Sequence, residues 1–361
     1  MTTYLLAGGG TAGHVNPLLA VADRLRERDP DAEILVLGTK EGLEARLVPE
    51  RGYELLTIAR LPFPRRPNRA ALSFPRRLTE AIDDVRAIIR DRRVDVVVGF
   101  GGYAAAPAYV AAHRESTPLA IHEANARPGI ANRLGARYTK FVGIAFRGTK
   151  IGSATWVGQP LRPEIERLDR FTARREGIEL FGLAENKPTL LVTGGSSGAL
   201  RINETIRESI VTILGTGWQV IHVTGEYRDE IDDPALPGYH VVKYCDRMEL
   251  ALAVADLALG RAGTSTVAEV AALGIPAVFV PYAAGNGEQR LNAKESLGVG
   301  GAIVVSDSEF TPDWVSSELV ALLRDRARIA EMAARMLTVG AIDGTDRMVA
   351  LIDDALASRE A

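Results

Sequence analysis

Apolar runs of four to six residues alternate along the chain with helical patterns, the arrangement that predicts a parallel α/β sheet. Tyr4–Ala7 reads as the first strand, followed by a glycine loop and a helix from Pro17 to about Arg28. Glu33–Leu37, Val96–Gly99, Leu119–His122 and Phe141–Ile144 continue the pattern. It then restarts: Thr189–Thr193 is a strand, Gly194–Gly198 a loop and Ala199–Ile213 a helix. Gln219–Val223, His240–Tyr244, Leu257–Leu259, Ala277–Val280 and Ala302–Val305 follow as strands, and the tail from Asp313 is helical.

Two strand–glycine loop–helix openings, near Gly8 and near Gly194, predict two doubly wound domains. Gly158-Gln-Pro-Leu-Arg-Pro163 reads as the passage between them. The expected organisation is a first domain over 1–160, a second over 161–345 and a closing helix over 346–361.

At 361 residues the chain is long enough for two such cores. Its 43 Lys and Arg against 46 Asp and Glu give a net charge of −3, so no global basic field points to nucleic acid. One cysteine, Cys245, excludes an intrachain disulfide and a cysteine-rich zinc site. The N-terminus lacks the basic start and apolar length of a signal peptide. The uncharged stretches Val96–Ala112 and Val270–Gly287 carry Gly and Pro and read as buried strand, loop and helix.

Three helix starts are candidates for binding an anion. In Gly8-Gly-Gly-Thr-Ala-Gly-His14, successive glycines turn the chain tightly and allow close ligand approach, and the next helix offers unpaired N–H groups. A plain strand–helix turn would look the same. His14 favours chemistry there, since a helix N-terminus disfavours its charged form and leaves a neutral base. Gly194-Gly-Ser-Ser-Gly198 repeats the device with hydroxyls, as an oxyanion site or a serine-capped helix. In Gly260-Arg-Ala-Gly-Thr-Ser-Thr-Val-Ala-Glu269, Thr266 can donate to a diphosphate. Glu269, on the same helix face, would accept from ribose hydroxyls or serve as a capping-box partner.

Glu288, Gln289 and Asn292 share a helix face that reads sugar hydroxyls or is simply solvated. The five histidines show no metal-ligand spacing, so no metal or cofactor is expected. Arg60 to Arg77 holds six arginines and no acid among Leu61, Phe63, Leu72 and Phe74. That segment is either an interfacial patch for anionic lipid or a proline-broken surface loop.

Together these pieces resemble the bacterial lipid-I N-acetylglucosaminyltransferase (MurG) family. The resemblance rests on Gly8–Pro17, Gly99-Phe-Gly-Gly-Tyr103, His122-Glu-Ala-Asn125 with Asn132, Gly158–Arg162, Gly194–Asn203, Arg261–Glu269 and Glu288–Asn292, in family order. It implies a GT-B architecture, two Rossmann-like domains facing across a cleft. It also implies inverting transfer of N-acetylglucosamine from its UDP carrier to the C4 hydroxyl of undecaprenyl-diphospho-muramoyl-pentapeptide, at the cytoplasmic face of the membrane.

By the same resemblance the second half holds the donor. The backbone around Cys245 meets uracil, Glu269 the ribose, Ser196, Arg162 and Thr266 the diphosphate, and Asn125, Gln289 and Asn292 the sugar. The first half takes the acceptor at Thr11, Gly13, His14 and Tyr103, and Arg60–Arg77 rests on the leaflet. The base is read from placement and not from the resemblance: His14, with Glu123 as the alternative if His14 serves mainly the acceptor diphosphate. Three departures stand out: Ala12 replaces a common glycine, Glu288 a frequent glutamine and Cys245 an aliphatic residue. Rival readings are a glycosyltransferase for small natural products, a UDP-N-acetylglucosamine epimerase on the same fold, and a non-catalytic membrane scaffold.

Overall fold

The computed structural model describes residues 1–63, 69–195, 198–225, 234–282 and 287–359, with backbone alone at 69–71. It divides into two compact units, Met1–Arg162 with Asp343–Ala361, and Pro163–Ile342.

The first unit is built on strands β1 (Thr3–Gly8), β2 (Glu33–Gly38), β3 (Glu54–Thr57), β4 (Val96–Gly101), β5 (Leu119–Glu123), β6 (Val142–Ile144) and β7 (Ala154–Trp156). They lie in the order β3-β2-β1-β4-β5-β6-β7, and every pairing is parallel. Helices α1 (Ala12–Arg28), α2 (Glu44–Glu50), α3 (Arg69–Asp91) and α4 (Ala105–Arg114) cover the sheet. Side chains alternate between faces: Leu5, Leu35, Val97 and Ile121 pack with α3 and α4, while Tyr4, Leu6, Val36 and Val98 pack with α1. Burial on both faces is why these strands read as unbroken apolar runs.

The second unit repeats the plan with β8 (Thr189–Thr193), β9 (Gln219–Val223), β10 (Tyr239–Val242), β11 (Leu257–Gly260), β12 (Ala277–Phe279) and β13 (Ala302–Val304). Their order is β10-β9-β8-β11-β12-β13, again parallel throughout. In both sheets the direction of winding reverses beside the first strand, between β1 and β4 and between β8 and β11. Ligands of doubly wound sheets gather outside the carboxyl ends of the strands at that reversal. Both glycine loops lie there.

Four features depart from the sequence reading. Helix α1 begins at Ala12 rather than Pro17, so His14 sits on its first turn. A proline this early in a helix removes only one ladder bond, which the chain tolerates. β3 and β7 were not anticipated, being edge strands of four and three residues with half-exposed patterns. The helix Gly344–Ala357 belongs to the first unit, where Met348, Leu351, Ile352 and Ala355 pack in the same cluster as α1. Arg28 meets Asp353 at 2.5 Å there, and Arg24 pairs with Asp346.

Candidate functional site

In the first unit the turns after β1 and β4 are pressed together. A Cβ on Gly102 would collide with the Gly9 carbonyl, and Gly101 and Gly102 take φ of +91° and +86°, a region suited to glycine. The His14 ring lies against Gly101, where an added Cβ would come within 3.1 Å of Cδ2 and Nε2. His14 Nδ1 is 3.2 Å from the Gly9 carbonyl oxygen and 3.3 Å from Thr11 Oγ1. Donation from Nδ1 to Gly9 selects the tautomer whose Nε2 carries the lone pair. Thr11 is exposed, and Gly13 and Tyr103 are half-buried. The Arg60 guanidinium stands 5.0 Å over the Tyr103 ring, which ties this turn to the arginine-rich segment.

Glu123 ends β5 and is only 2% exposed. Its carboxylate accepts from the backbone N–H of Asn125 (2.8 Å) and Gly129 (2.9 Å) and from Asn132 Nδ2 (2.8 Å). Tyr109 braces Asn132 in turn by donating to its Oδ1 at 2.6 Å. Burial pushes the Glu123 pKa up against the pull of these donors. These bonds commit its oxygens inward, where they hold the turn that carries half-buried Asn125. Beside it, buried His122 sits with Nε2 3.0 Å from the Gly158 carbonyl, and burial lowers its pKa to about 4.

In the second unit the close approach is between strand ends: a Cβ on Gly260, the last residue of β11, would collide with the carbonyl of its β8 partner Thr193. The helix Thr264–Ala272 starts there behind an N-cap at Gly263. Thr266 is its third residue and half-buried, and Ser265 Oγ is buried with no hydrogen-bond partner among the described residues. Glu269 lies one turn further in and is 9% exposed, which removes the capping-box alternative because that role belongs to the third helical position.

Asn292 requires a correction. Only 1% exposed, it donates through Nδ2 to the Ala262 carbonyl (3.3 Å) and Thr264 Oγ1 (3.4 Å). It thus ties the helix Glu288–Asn292 to the β11 turn, and a solvated face does not describe it. Gln289 is half-buried and accepts the Tyr282 N–H at 2.9 Å. Cys245 is buried just beyond β10. Ser196 lies outside the described residues. Asn125 and Arg162 belong to the first unit, so the residues expected around the donor divide between the two units.

The arginine segment is less uniformly exposed than its composition suggests. Leu61 is 3% exposed, and Phe74 is half-buried with its ring 5.2 Å from that of Phe63. Leu72 stands out at 84% exposure beside exposed Arg76 and Arg77. Arg65, Arg66 and the Arg69 side chain lie outside the described residues. Among the described residues no helix is long and apolar enough to cross a membrane.

One residue at the first site escaped the sequence reading. Glu44, at the start of α2, is 1% exposed and accepts the Gly10 N–H at 2.7 Å. A lone glutamate among surface charges carries no sequence signal. Gly38 and Gly42, which make room for its carboxylate, were the one available hint.

The model of the glycosyltransferase family 28 N-terminal domain matches residues 4–144, and that of the family's C-terminal domain matches 189–348. A protein of Leifsonia xyli subsp. xyli, named UDP-N-acetylglucosamine–N-acetylmuramyl-(pentapeptide) pyrophosphoryl-undecaprenol N-acetylglucosamine transferase, is 62% identical over 358 residues. The match covers 99% of this chain and 100% of that one. The chain belongs to this transferase family. The crystal structure of Acinetobacter baumannii MurG, another member by name, matches at TM-score 0.80 and 29% identity, covering 98% of this chain and 100% of that one. The GT-B fold implied by the resemblance is therefore the fold of this chain. A UDP-GlcNAc 2-epimerase from Neisseria meningitidis matches at TM-score 0.69 but 14% identity, over 98% of this chain and 100% of that one, a likeness of fold alone.

Proposed function

We propose that this chain is the transferase its relatives are named for, with acceptor chemistry on the first unit and donor chemistry on the second. It moves N-acetylglucosamine from UDP-N-acetylglucosamine to the C4 hydroxyl of lipid I, giving lipid II for peptidoglycan. Identity of 62% along essentially the whole chain carries the activity. The placement of His14 carries the division of labour.

His14 Nε2 takes the proton of the acceptor hydroxyl as its oxygen attacks the anomeric carbon from the face opposite UDP, so the configuration inverts. The C1–O bond to UDP breaks, and negative charge grows on the leaving diphosphate. First-turn N–H groups of the helix Thr264–Ala272 and the Thr266 hydroxyl meet that charge. Glu269 accepts from ribose, the main chain at Cys245 meets uracil, and Gln289 meets the sugar. Ser196, Asn125 and Arg162 complete the donor set. Thr11, Gly13 and Tyr103 surround the acceptor diphosphate. Exposed Leu72, Arg76 and Arg77 lie against the cytoplasmic leaflet, which makes the protein peripheral to the membrane.

UDP release from UDP-N-acetylglucosamine, measured with and without a short-chain lipid I analogue and with chelator, tests the reading. Release that requires the acceptor and is unaffected by chelator is expected. Donor binding without acceptor-dependent release would move the assignment to another acceptor or to epimerisation.

A further inference from the structure

Both oxygens of the Glu44 carboxylate accept hydrogen bonds from the chain around them. Oε1 accepts the N–H and the hydroxyl of Thr39, both at 2.9 Å, and Oε2 accepts the Gly10 N–H at 2.7 Å. The surroundings are built to its shape: a Cβ on Gly9, Gly38 or Gly42 would collide with the Glu44 side chain. Gly10 itself has φ of +91°, and a Cβ added there would meet nothing within 4 Å, while its N–H is held by the Glu44 carboxylate. From this peptide the contacts run straight to the reacting groups. His14 Nδ1 bonds the Gly9 carbonyl, and Gly102, the residue before Tyr103, packs on that same carbonyl.

We propose that Glu44 is a positioning residue of the acceptor site, acting through the Gly9–Gly10 backbone that it holds from below. It withdraws the Gly10 N–H from the donors available to an anion and fixes the carbonyl that orients the His14 ring. Two acceptor oxygens are required for this. A glutamine would set its NH2 against the N–H of either Gly10 or Thr39, and neither backbone donor can turn away. The inference rests on the reading that places the acceptor at this loop.

The test compares full-length Glu44→Gln, Thr39→Val and Thr11→Ala for kcat, for KM toward a short-chain lipid I analogue and UDP-N-acetylglucosamine, and for Tm. Glu44→Gln is expected to lower kcat/KM for the acceptor about tenfold or more, the scale of a lost bond to a charged group. Its KM for UDP-N-acetylglucosamine stays within about twofold, because the bonds of Glu44 lead to the acceptor loop. Thr39→Val removes one bond to the same carboxylate and leaves the Gly10 bond, so Tm falls while acceptor kinetics hold. Wild-type acceptor kinetics in Glu44→Gln, or a fall shared equally by donor and acceptor, overturns the proposal. If Thr11→Ala shifts the acceptor KM and Glu44→Gln does not, Glu44 is only structural. If neither shifts it, the acceptor assignment of the loop fails first. Should Glu44→Gln not fold, amide exchange in the wild-type protein decides, because an unprotected Gly10 N–H is incompatible with the proposal.

Discussion

At the winding reversal of each sheet a glycine permits a close approach, Gly102 in the turn after β4 on Gly9 in the first unit, and Gly260 at the end of β11 on its strand partner Thr193 in the second. What stands on that shared backbone differs. In the first unit the opening turn of the helix carries the His14 ring, and two buried carboxylates, Glu44 and Glu123, brace the loops behind it. In the second the opening turn carries Thr264, Ser265 and Thr266, and the brace is the neutral amide of Asn292. The carboxylates behind the first loops accept from their N–H groups, whereas the Asn292 amide donates to a carbonyl and a hydroxyl of the second. The fold thus sets a helix start at the winding reversal twice, and on the reading proposed above the bracing residues separate an end that presents a base from one that presents donors.

The sharpest break in that comparison is His14→Ala. Loss of a general base costs about 10²–10⁴ in rate, so kcat should fall roughly a thousandfold while UDP binding by calorimetry is unchanged. Near-normal turnover would remove His14 as the base and make the two ends chemically alike.

Acid stability tests whether the units also share their buried histidines. His122 in the first unit and His222 in the second are both held neutral by burial, with pKa values of about 4. Unfolded, each titrates at about 6.5, so between these values the unfolded chain binds more protons and stability falls as pH falls. Each contributes on the order of 3 kcal/mol that is intact above pH ~6.5 and lost as pH drops toward ~4. His222 bonds Tyr239 Oη at 2.8 Å and Asn203 Oδ1 at 3.1 Å, whereas His122 meets one carbonyl. A Tm series from pH 7 to 4.5 should slope downward, and His222→Asn should remove about half of the slope while lowering Tm at pH 7. An unchanged slope would mean that His222 is accessible to protons in the folded state.

Glu269→Ala is the donor-side counterpart of the His14 change. Removing a charged acceptor from ribose hydroxyls should weaken UDP-N-acetylglucosamine binding about tenfold to a hundredfold, with kcat at saturating donor little altered. Unchanged affinity would return Glu269 to the interior of its helix.

The sequence reading succeeded where periodicity and glycine carry the information. The central strands are buried on both faces, and the loops at Gly8 and Gly194 announce themselves by composition. It failed where meaning depends on a partner distant in sequence. Asn292 looks like any polar residue on a short helix until its contact with Thr264 is known. Glu123 and Glu44 are indistinguishable from surface carboxylates until the N–H groups of Gly129 and Gly10 close on them. The helix Gly344–Ala357 shows an apolar stripe, but nothing in the chain says that the stripe packs on the first sheet.

The smallest effect expected concerns the arginine-rich surface of the first unit. On α3, Leu72 is 84% exposed while Phe74 turns back onto Phe63, so the exposed apolar area is narrower than the composition of Arg60–Arg77 suggests. Electrostatics must then supply much of any hold on a leaflet, at about 1 kcal/mol for each basic residue near an anionic surface. Arg76 gives part of that to Glu80 at 2.8 Å, and Arg77 spends a donor on the Arg60 carbonyl at 3.1 Å. The double change Arg76→Ala and Arg77→Ala should therefore weaken binding to vesicles containing anionic lipid only about fivefold, and less at high salt. Leu72→Ser should weaken it further without adding salt dependence. Equal binding of the wild-type protein to anionic and neutral vesicles would show that these arginines face water, and the first unit would then keep its acceptor chemistry without this charged contact to the membrane.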